Sequence, residues 1–461
     1  MYFSPTACLR CVLSLAMLCP FVRGAEKLRA GFATADLTPP LGVEMGGFGY
    51  NLGRTGDAVR DKLLARAAVL EFGSSRVAIV GCDLGGISLN ITQKVRSRVA
   101  DAIGIAPESI MIGTTHTHSA PVAAEWLGVG KPDPAYQAEL PSRIAQAIID
   151  ASKKVEPVSV HWGTAPVEGV ARNREYPDGP IDKTVRVLKF MRASGELVGF
   201  IANYSVHPVV MAQLTRMFTG DLAGVSVNLV MDRHPGSVGI FLQGSCGDIN
   251  PIYAHMPQDE SLQKLDLLAS RVASGISAAL DSSKPEPVSM LVMKSQRIAL
   301  PLVPPEKATV VDRWHAAEQL LKKTRLPAGL AGELEFRRDS GRAVFERFNH
   351  PPLDEKSTEV QAVSLGKIVI VANPGETFLQ FGEETAAKLT GYKVMVTGYT
   401  NDYVGYIPAK DRYIVQGERE LSYPAYLTPW INGEFRFRED VGDVLVREME
   451  SVARRVIESG Q

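Results

Sequence analysis

The sequence predicts an α/β fold: a layered, mostly mixed β-sheet flanked by helices, in a single large domain. Three observations carry that prediction. Short apolar runs bounded by Gly, Pro or Asp alternate with longer stretches of helical apolar spacing. The order strand, loop, helix recurs along the chain, as in a layered sheet. No Ser/Pro/Gly linker, charged tract or repeat with a period of roughly 20 to 50 residues divides it.

In chain order, the first strand-like runs are residues 77–81 (VAIVG) and 110–113 (IMIG). Between them, residues 90–103 have helical spacing with Asn90 as a candidate cap. A helical pattern over 136–155 leads to an apolar run at 197–206, a helix over 222–233, a strand at 238–242 and a helix over 262–280. Runs at 367–372 and 393–397 flank a helical stretch at 378–389, and Val444, Met449, Val452 and Val456 mark an amphipathic final helix. Residues 301–355, where Pro301, Pro304 and Pro305 precede charged helical sequence, are the candidate insertion or lid.

The 461 residues carry 50 Lys+Arg against 51 Asp+Glu, and 45% are hydrophobic. That excludes a disordered tail and a disulfide-stapled module, and it leaves no basic footprint for nucleic acid or an anionic membrane surface. Residues 1–24 resemble a Sec signal peptide: Arg10 supplies the positive region, an apolar stretch follows, and Val22 and Gly24 suit a cleavage site. The stretch is about a dozen residues long, short of the roughly 20 needed to span a bilayer. No later stretch is long and apolar enough to span. The expectation is an exported protein, periplasmic or extracellular, whose domain covers 25–461. Cys8, Cys11 and Cys19 fall in the leader, leaving Cys82 and Cys246, too few for a disulfide framework.

Polar residues collect directly after apolar runs, in IMIGTTHTHSAP (110–121), FIANYSVHP (200–208), IVIVANPGE (368–376) and VMVTGYTNDYVGY (394–406). In open α/β sheets ligands bind outside the carboxyl ends of strands. The clusters offer His116, His118, His207, Glu376, Tyr403 and Tyr406. Imidazole nitrogen with carboxylate oxygen and no thiolate is the ligand set of a catalytic zinc. In an extended segment His116 and His118 would project to one face, where two imidazoles without a metal or an acid repel on protonation. His207 taken alone reads equally as a structural histidine, Glu376 as a cap for the following helix, and Tyr406 as core packing. His161, His234, His255, His315 and His350 carry no such signal.

The strings GTTHTHSAP, NYSVHP, GSCGDINP, ANPGE and TNDYVGY, in this order, resemble the neutral/alkaline non-lysosomal ceramidase family across its N-terminal catalytic domain. The resemblance implies a hydrolase that cleaves the amide of N-acylsphingosine, or a related small-molecule or lipid N-acyl substrate, with one zinc ion per chain. It implies that His116, His207, Glu376 and Tyr406 hold the metal, with Tyr403 as second choice, and that His118 lies near the reacting group. It makes Arg174 the substrate-binding arginine and omits the family's C-terminal immunoglobulin-like domain. Two positions depart from the family: Asn250 stands where the family has a serine implicated in catalysis, and Glu418 where it has a second tyrosine. A zinc-activated water makes serine dispensable. Asn250 then becomes a candidate oxyanion donor, His118 the proton shuttle, and Asp248 a second acid or the group that orients a histidine. The alternatives are a zinc esterase or phosphoester hydrolase, and a zinc-retaining binding protein.

Overall fold

A computed structural model of the chain describes residues 1–2, 27–48, 53–124, 126–323, 325–327, 329–414 and 422–459. Most of the leader-like segment and Glu418 lie outside the described residues. Mixed sheets flanked by helices form the body, as expected, but they are arranged as three copies of one unit, beginning at Arg29, Ser159 and Leu291.

Each unit opens with a three-stranded antiparallel meander. In the first, Arg29–Asp36, Leu64–Phe72 and Ser75–Cys82 pair in that order. The second uses Ser159–Pro166, Thr184–Met191 and Leu197–Tyr204, and the third Leu291–Val303, Glu355–Leu365 and Ile368–Ala372. The turn between the second and third strands holds a left-handed glycine in every copy, namely Gly73, Gly195 and Gly366. A crossover helix then leads to a fourth strand parallel to the third, because parallel neighbours cannot be joined by a tight turn. These helix–strand pairs are Leu89–Ile103 with Ile110–Thr114, Asp221–Arg233 with Val238–Gln243, and Leu379–Lys388 with Lys393–Thr397. The helices Pro134–Ser152, Gln258–Ser282 and Val441–Glu458 close the three units.

Packing follows from this pattern. The two helices of each unit cover one face of their own sheet, giving three outer cores typified by Val95 and Ile144, by Val227 and Leu268, and by Phe381 and Met449. The opposite faces of all three sheets meet in a shared centre that includes Phe32, Met111, Phe190, Ile201, Ile370 and Met395. Each such fully buried side chain contributes about 1.5–3 kcal/mol over an exposed one. With both faces covered, the third and fourth strands read as continuous apolar runs rather than alternating ones.

The first crossover helix is capped by Ser88, whose hydroxyl accepts from the Ile91 amide at 3.4 Å; Asn90 lies inside the helix, contrary to the sequence expectation. Residues 301–355 carry a helical hairpin, Lys307–Leu321 and Leu330–Arg347, between the first two strands of the third unit. Phe336 from this hairpin packs against Gly128, and the Leu127 amide donates to the Ile431 carbonyl at 2.8 Å. The hairpin thus buttresses two loops that line the site described next. No helix among the described residues is long and apolar enough to cross a membrane.

Candidate metal centre and active site

The loops after the third and fourth strands of the three sheets converge at one end of the molecule. His116 and His118 follow Ile110–Thr114, His207 follows Leu197–Tyr204, and Glu376 follows Ile368–Ala372. A two-stranded parallel ribbon places Glu376 directly beside Tyr406. The convergence of His116 and His118 does not come from an extended segment, as the sequence pattern implied. His116 adopts φ 65°, a left-handed conformation that non-glycine residues rarely hold and that concentrates at functional sites.

Four acceptor atoms face a common centre. The His116 and His207 Nε2 atoms lie 3.3 and 3.1 Å from the same Glu376 oxygen, Oε2. His118 Nε2 is 3.2 Å from His116 Nε2, and ligand atoms of the three histidines all lie within 4.8 Å of one another. Backbone carbonyls fix the rings: Gly85 O is 2.5 Å from His116 Nδ1, and Cys246 O is 2.6 Å from His207 Nδ1. These carbonyls can only accept, so each Nδ1 carries a proton and each Nε2 is the atom left facing the centre. The other Glu376 oxygen accepts a hydrogen bond from the Tyr403 hydroxyl. Glu376 is therefore not the helix cap; the Leu379 amide that opens the helix donates instead to Asp248 Oδ1 at 2.8 Å.

Burial sets the electrostatics. His207 is pushed down to about 4, chiefly by burial and then by Arg174, and burial also holds His118 well below the usual histidine value. Burial works to raise Glu376, but the adjacent His116 and His207 outweigh it and keep the carboxylate ionised. Burial, with Glu376 nearby, lifts Tyr403 and Tyr406 well above the ordinary phenol range, while Arg174 pulls Tyr406 back. Three imidazole nitrogens around an ionised carboxylate, with no thiolate, form a donor set that fits a divalent cation. The buried His118 Nδ1, which has no hydrogen-bond partner among the described residues, is a further unsatisfied group at the same place.

The sequence profile of the neutral/alkaline non-lysosomal ceramidase N-terminal region matches residues 28–270, more than half of the chain. The chain belongs to that family. A neutral ceramidase from Pseudomonas aeruginosa is 31% identical over 269 residues, covering 53% of this chain and 40% of the relative. One from Drosophila melanogaster is 26% identical over 293 residues, covering 57% of this chain and 41% of its own length. The aligned part thus spans about two fifths of the curated relatives. The crystal structure of the Pseudomonas aeruginosa neutral ceramidase superposes with a TM-score of 0.70 at 20% identity, covering 94% of this chain and 75% of the other. That match extends the ceramidase fold into the third unit, which carries Glu376, Tyr403 and Tyr406.

Within this ceramidase-family domain the remaining expected residues are placed unequally. Arg174 lies beside the centre: its Nη2 donates to the Tyr406 hydroxyl at 2.6 Å and to Gly247 O at 2.6 Å. Asp248 does not orient a histidine, contrary to one of the two roles expected of it. Its oxygens take the Leu379 amide and the Asn173 side chain, at 2.8 and 3.0 Å, and the acceptors that orient His207 are the backbone carbonyls of Cys246 and Ile249. Asn250 sits on the short strand Ile249–Pro251, is buried, and leaves its amide oxygen without a partner among the described residues. It is not among the residues lining either cavity of the site. The inner cavity, about 30 Å³, is walled by His116, His118, Glu376, Tyr403, Tyr406 and Trp126, among others. Sequence reasoning missed Trp126 and Tyr399, whose ring stacks on His116 at 4.3 Å. Gly47, which lines both cavities, was missed as well. Each lies outside the strings that flagged the histidines, or reads as ordinary packing within one.

Proposed function

We propose that this chain is an exported zinc-dependent amide hydrolase acting on ceramide or a related N-acyl compound, with residues 25–461 as its hydrolase domain and 1–24 as a signal peptide. The observation that carries the reading is the convergence of His116 Nε2 and His207 Nε2 on one Glu376 oxygen, with both rings locked by carbonyls behind them. His116, His207 and Glu376 would hold the ion. Tyr406 fits a fourth ligand better than Tyr403, because its oxygen already accepts from Arg174, which favours negative charge there, whereas the Tyr403 hydroxyl is spent on Glu376.

Zinc bound there supplies Lewis acidity, polarising a carbonyl and lowering the pKa of water from about 15.7 to about 7. The chain supplies the rest. Tyr403 fixes the Glu376 carboxylate from behind. His118, whose Nε2 faces the centre, can pass a proton to the departing amine as the C–N bond breaks. Asn250 cannot act as nucleophile or base at neutral pH.

A panel of ceramide, simpler N-acyl amines and matched esters, assayed with zinc and with a chelator, tests this. Chelator-sensitive release of fatty acid from the amides supports the reading. Preferential ester or phosphoester cleavage supports the alternative chemistry, and no turnover with zinc bound supports a binding protein. Asn250→Ala lowers kcat by about 10²-fold if the side chain holds the oxyanion. An unchanged rate removes it from the chemistry.

A further inference from the structure

Beside the metal-ligand cluster lies a second, larger chamber of about 270 Å³ that shares Gly47, His118 and Tyr406 with the inner cavity. Its charge is one-sided. Arg174, Gln213 and His255 line it, and among the described residues no carboxylate does. Arg174 Nε and Nη2 are anchored on Gly247 O and Tyr406, and its Nη1 has no hydrogen-bond partner among the described residues. Behind the chamber wall formed by Phe48, Arg54 is buried; it donates to the carbonyls of Thr215, Gly46 and His118, with its guanidinium 5.0 Å from the Phe48 ring centre. Neither guanidinium pairs with a carboxylate among the described residues. Glu376, across the site, is engaged by His116, His207 and Tyr403. Arg174 leans on the Tyr406 oxygen, and its Nη1 is left over as a donor in a chamber that holds no acid of its own among the described residues, which suits an anionic group of a ligand. The inner cavity differs: Trp126 and Val129, which do not line the chamber, give it an apolar wall.

Taking the hydrolase reading as its basis, we infer that the amine half of the substrate carries a carboxylate, which makes the substrate class N-acyl amino acids. The carboxylate sits at Arg174, whose planar guanidinium suits two-point pairing, and Gln213 and His255 are specificity residues that donate to it. The acyl chain lies toward Trp126 and Val129. Hydrolysis adds water across the amide, breaks the C–N bond and releases a fatty acid and a free amino acid.

The test compares N-dodecanoylglycine, the neutral N-dodecanoylethanolamine and N-dodecanoylsphingosine with the zinc-loaded protein. The inference predicts kcat/KM at least about 10-fold higher for the glycine conjugate than for either neutral amide. It also predicts that Gln213→Glu, which puts a like charge in the chamber, lowers the glycine-to-ethanolamine ratio at least about 10-fold. Calorimetric binding of the same two soluble conjugates to metal-free protein reads the head-group preference without turnover. If no amide is hydrolysed but the glycine conjugate still binds about 10-fold tighter, the hydrolase reading falls and the head-group inference stands. Equal or preferred use of the neutral amides overturns the inference and leaves the hydrolase reading in place. A ratio unmoved by Gln213→Glu also overturns it.

Discussion

Replacing Gly47 by alanine should disable the site without touching any proposed ligand. Gly47 has φ +104°, and a Cβ built there lies 2.5, 2.7 and 2.8 Å from His118 Cγ, Cβ and Nδ1, where ordinary contacts begin near 3.4 Å. The backbone conformation alone costs an alanine roughly 1–2 kcal/mol, and overpacking adds about 1–3 kcal/mol, so a loss of about 2–5 kcal/mol is expected. The overlap, approaching an ångström, must be relieved by moving the His118 ring away from His116. A misplacement of that size costs about 10²-fold in rate. Gly42→Ala is the control: its φ is +91°, but nothing lies within 4 Å of its Cβ position, so it carries the backbone penalty without the clash. Amide hydrolysis, zinc content and thermal melting should be measured for both variants. Loss of rate with retained zinc in Gly47→Ala makes His118 a proton carrier, and loss of both makes it a ligand. Wild-type kcat/KM in Gly47→Ala would refute the reasoning.

Two further outcomes follow from buried charges away from the chemistry. Asp83 pairs with Arg66 at 2.6 Å with both side chains essentially inaccessible, so Asp83→Ala should cost about 3–5 kcal/mol in chemical denaturation by stranding the guanidinium; a loss below about 1 kcal/mol contradicts this. Asp221 is pushed up to about 6 by burial, in spite of accepting hydrogen bonds from the Met211, Leu222 and Val210 amides. A raised acid holds its proton more tightly folded than unfolded, so its ionisation erodes stability as pH rises from about 4 through 6. The stability of Asp221→Asn relative to wild type should therefore shift in the variant's favour by up to about 3 kcal/mol between pH 4 and pH 7.5. A difference that is constant with pH, or that moves toward wild type, would show that Asp221 is not strained.

The strand runs picked out from the sequence correspond to the third and fourth strands of the three units. Those strands are buried on both faces and so appear as unbroken apolar runs such as VAIVG and IVIVA. The meander strands, for example Thr184–Met191, alternate between buried and half-exposed positions and leave a weaker trace. The threefold repetition stayed hidden because each unit is far longer than a solenoid repeat and is preserved in topology, hydrophobic pattern and glycine turns rather than in identical residues. His116, His118, His207 and Glu376 were legible because each follows directly on an apolar run. The orienting groups were not, since the partners of His116 and His207 are backbone carbonyls, which any residue supplies. Asp248 was misread for the same reason: a carboxylate close in sequence to the site looked like the partner of a histidine, whereas it caps the third unit's crossover helix.

The central claim is that residues from all three sheets grip one zinc ion. Anomalous difference maps collected on both sides of the zinc absorption edge, from crystals grown with zinc, test it most directly. The account predicts one strong peak per chain amid His116, His207 and Glu376, with nitrogen and oxygen ligands at about 2.0–2.2 Å. A map without a peak there, or with its only peak elsewhere, would contradict it.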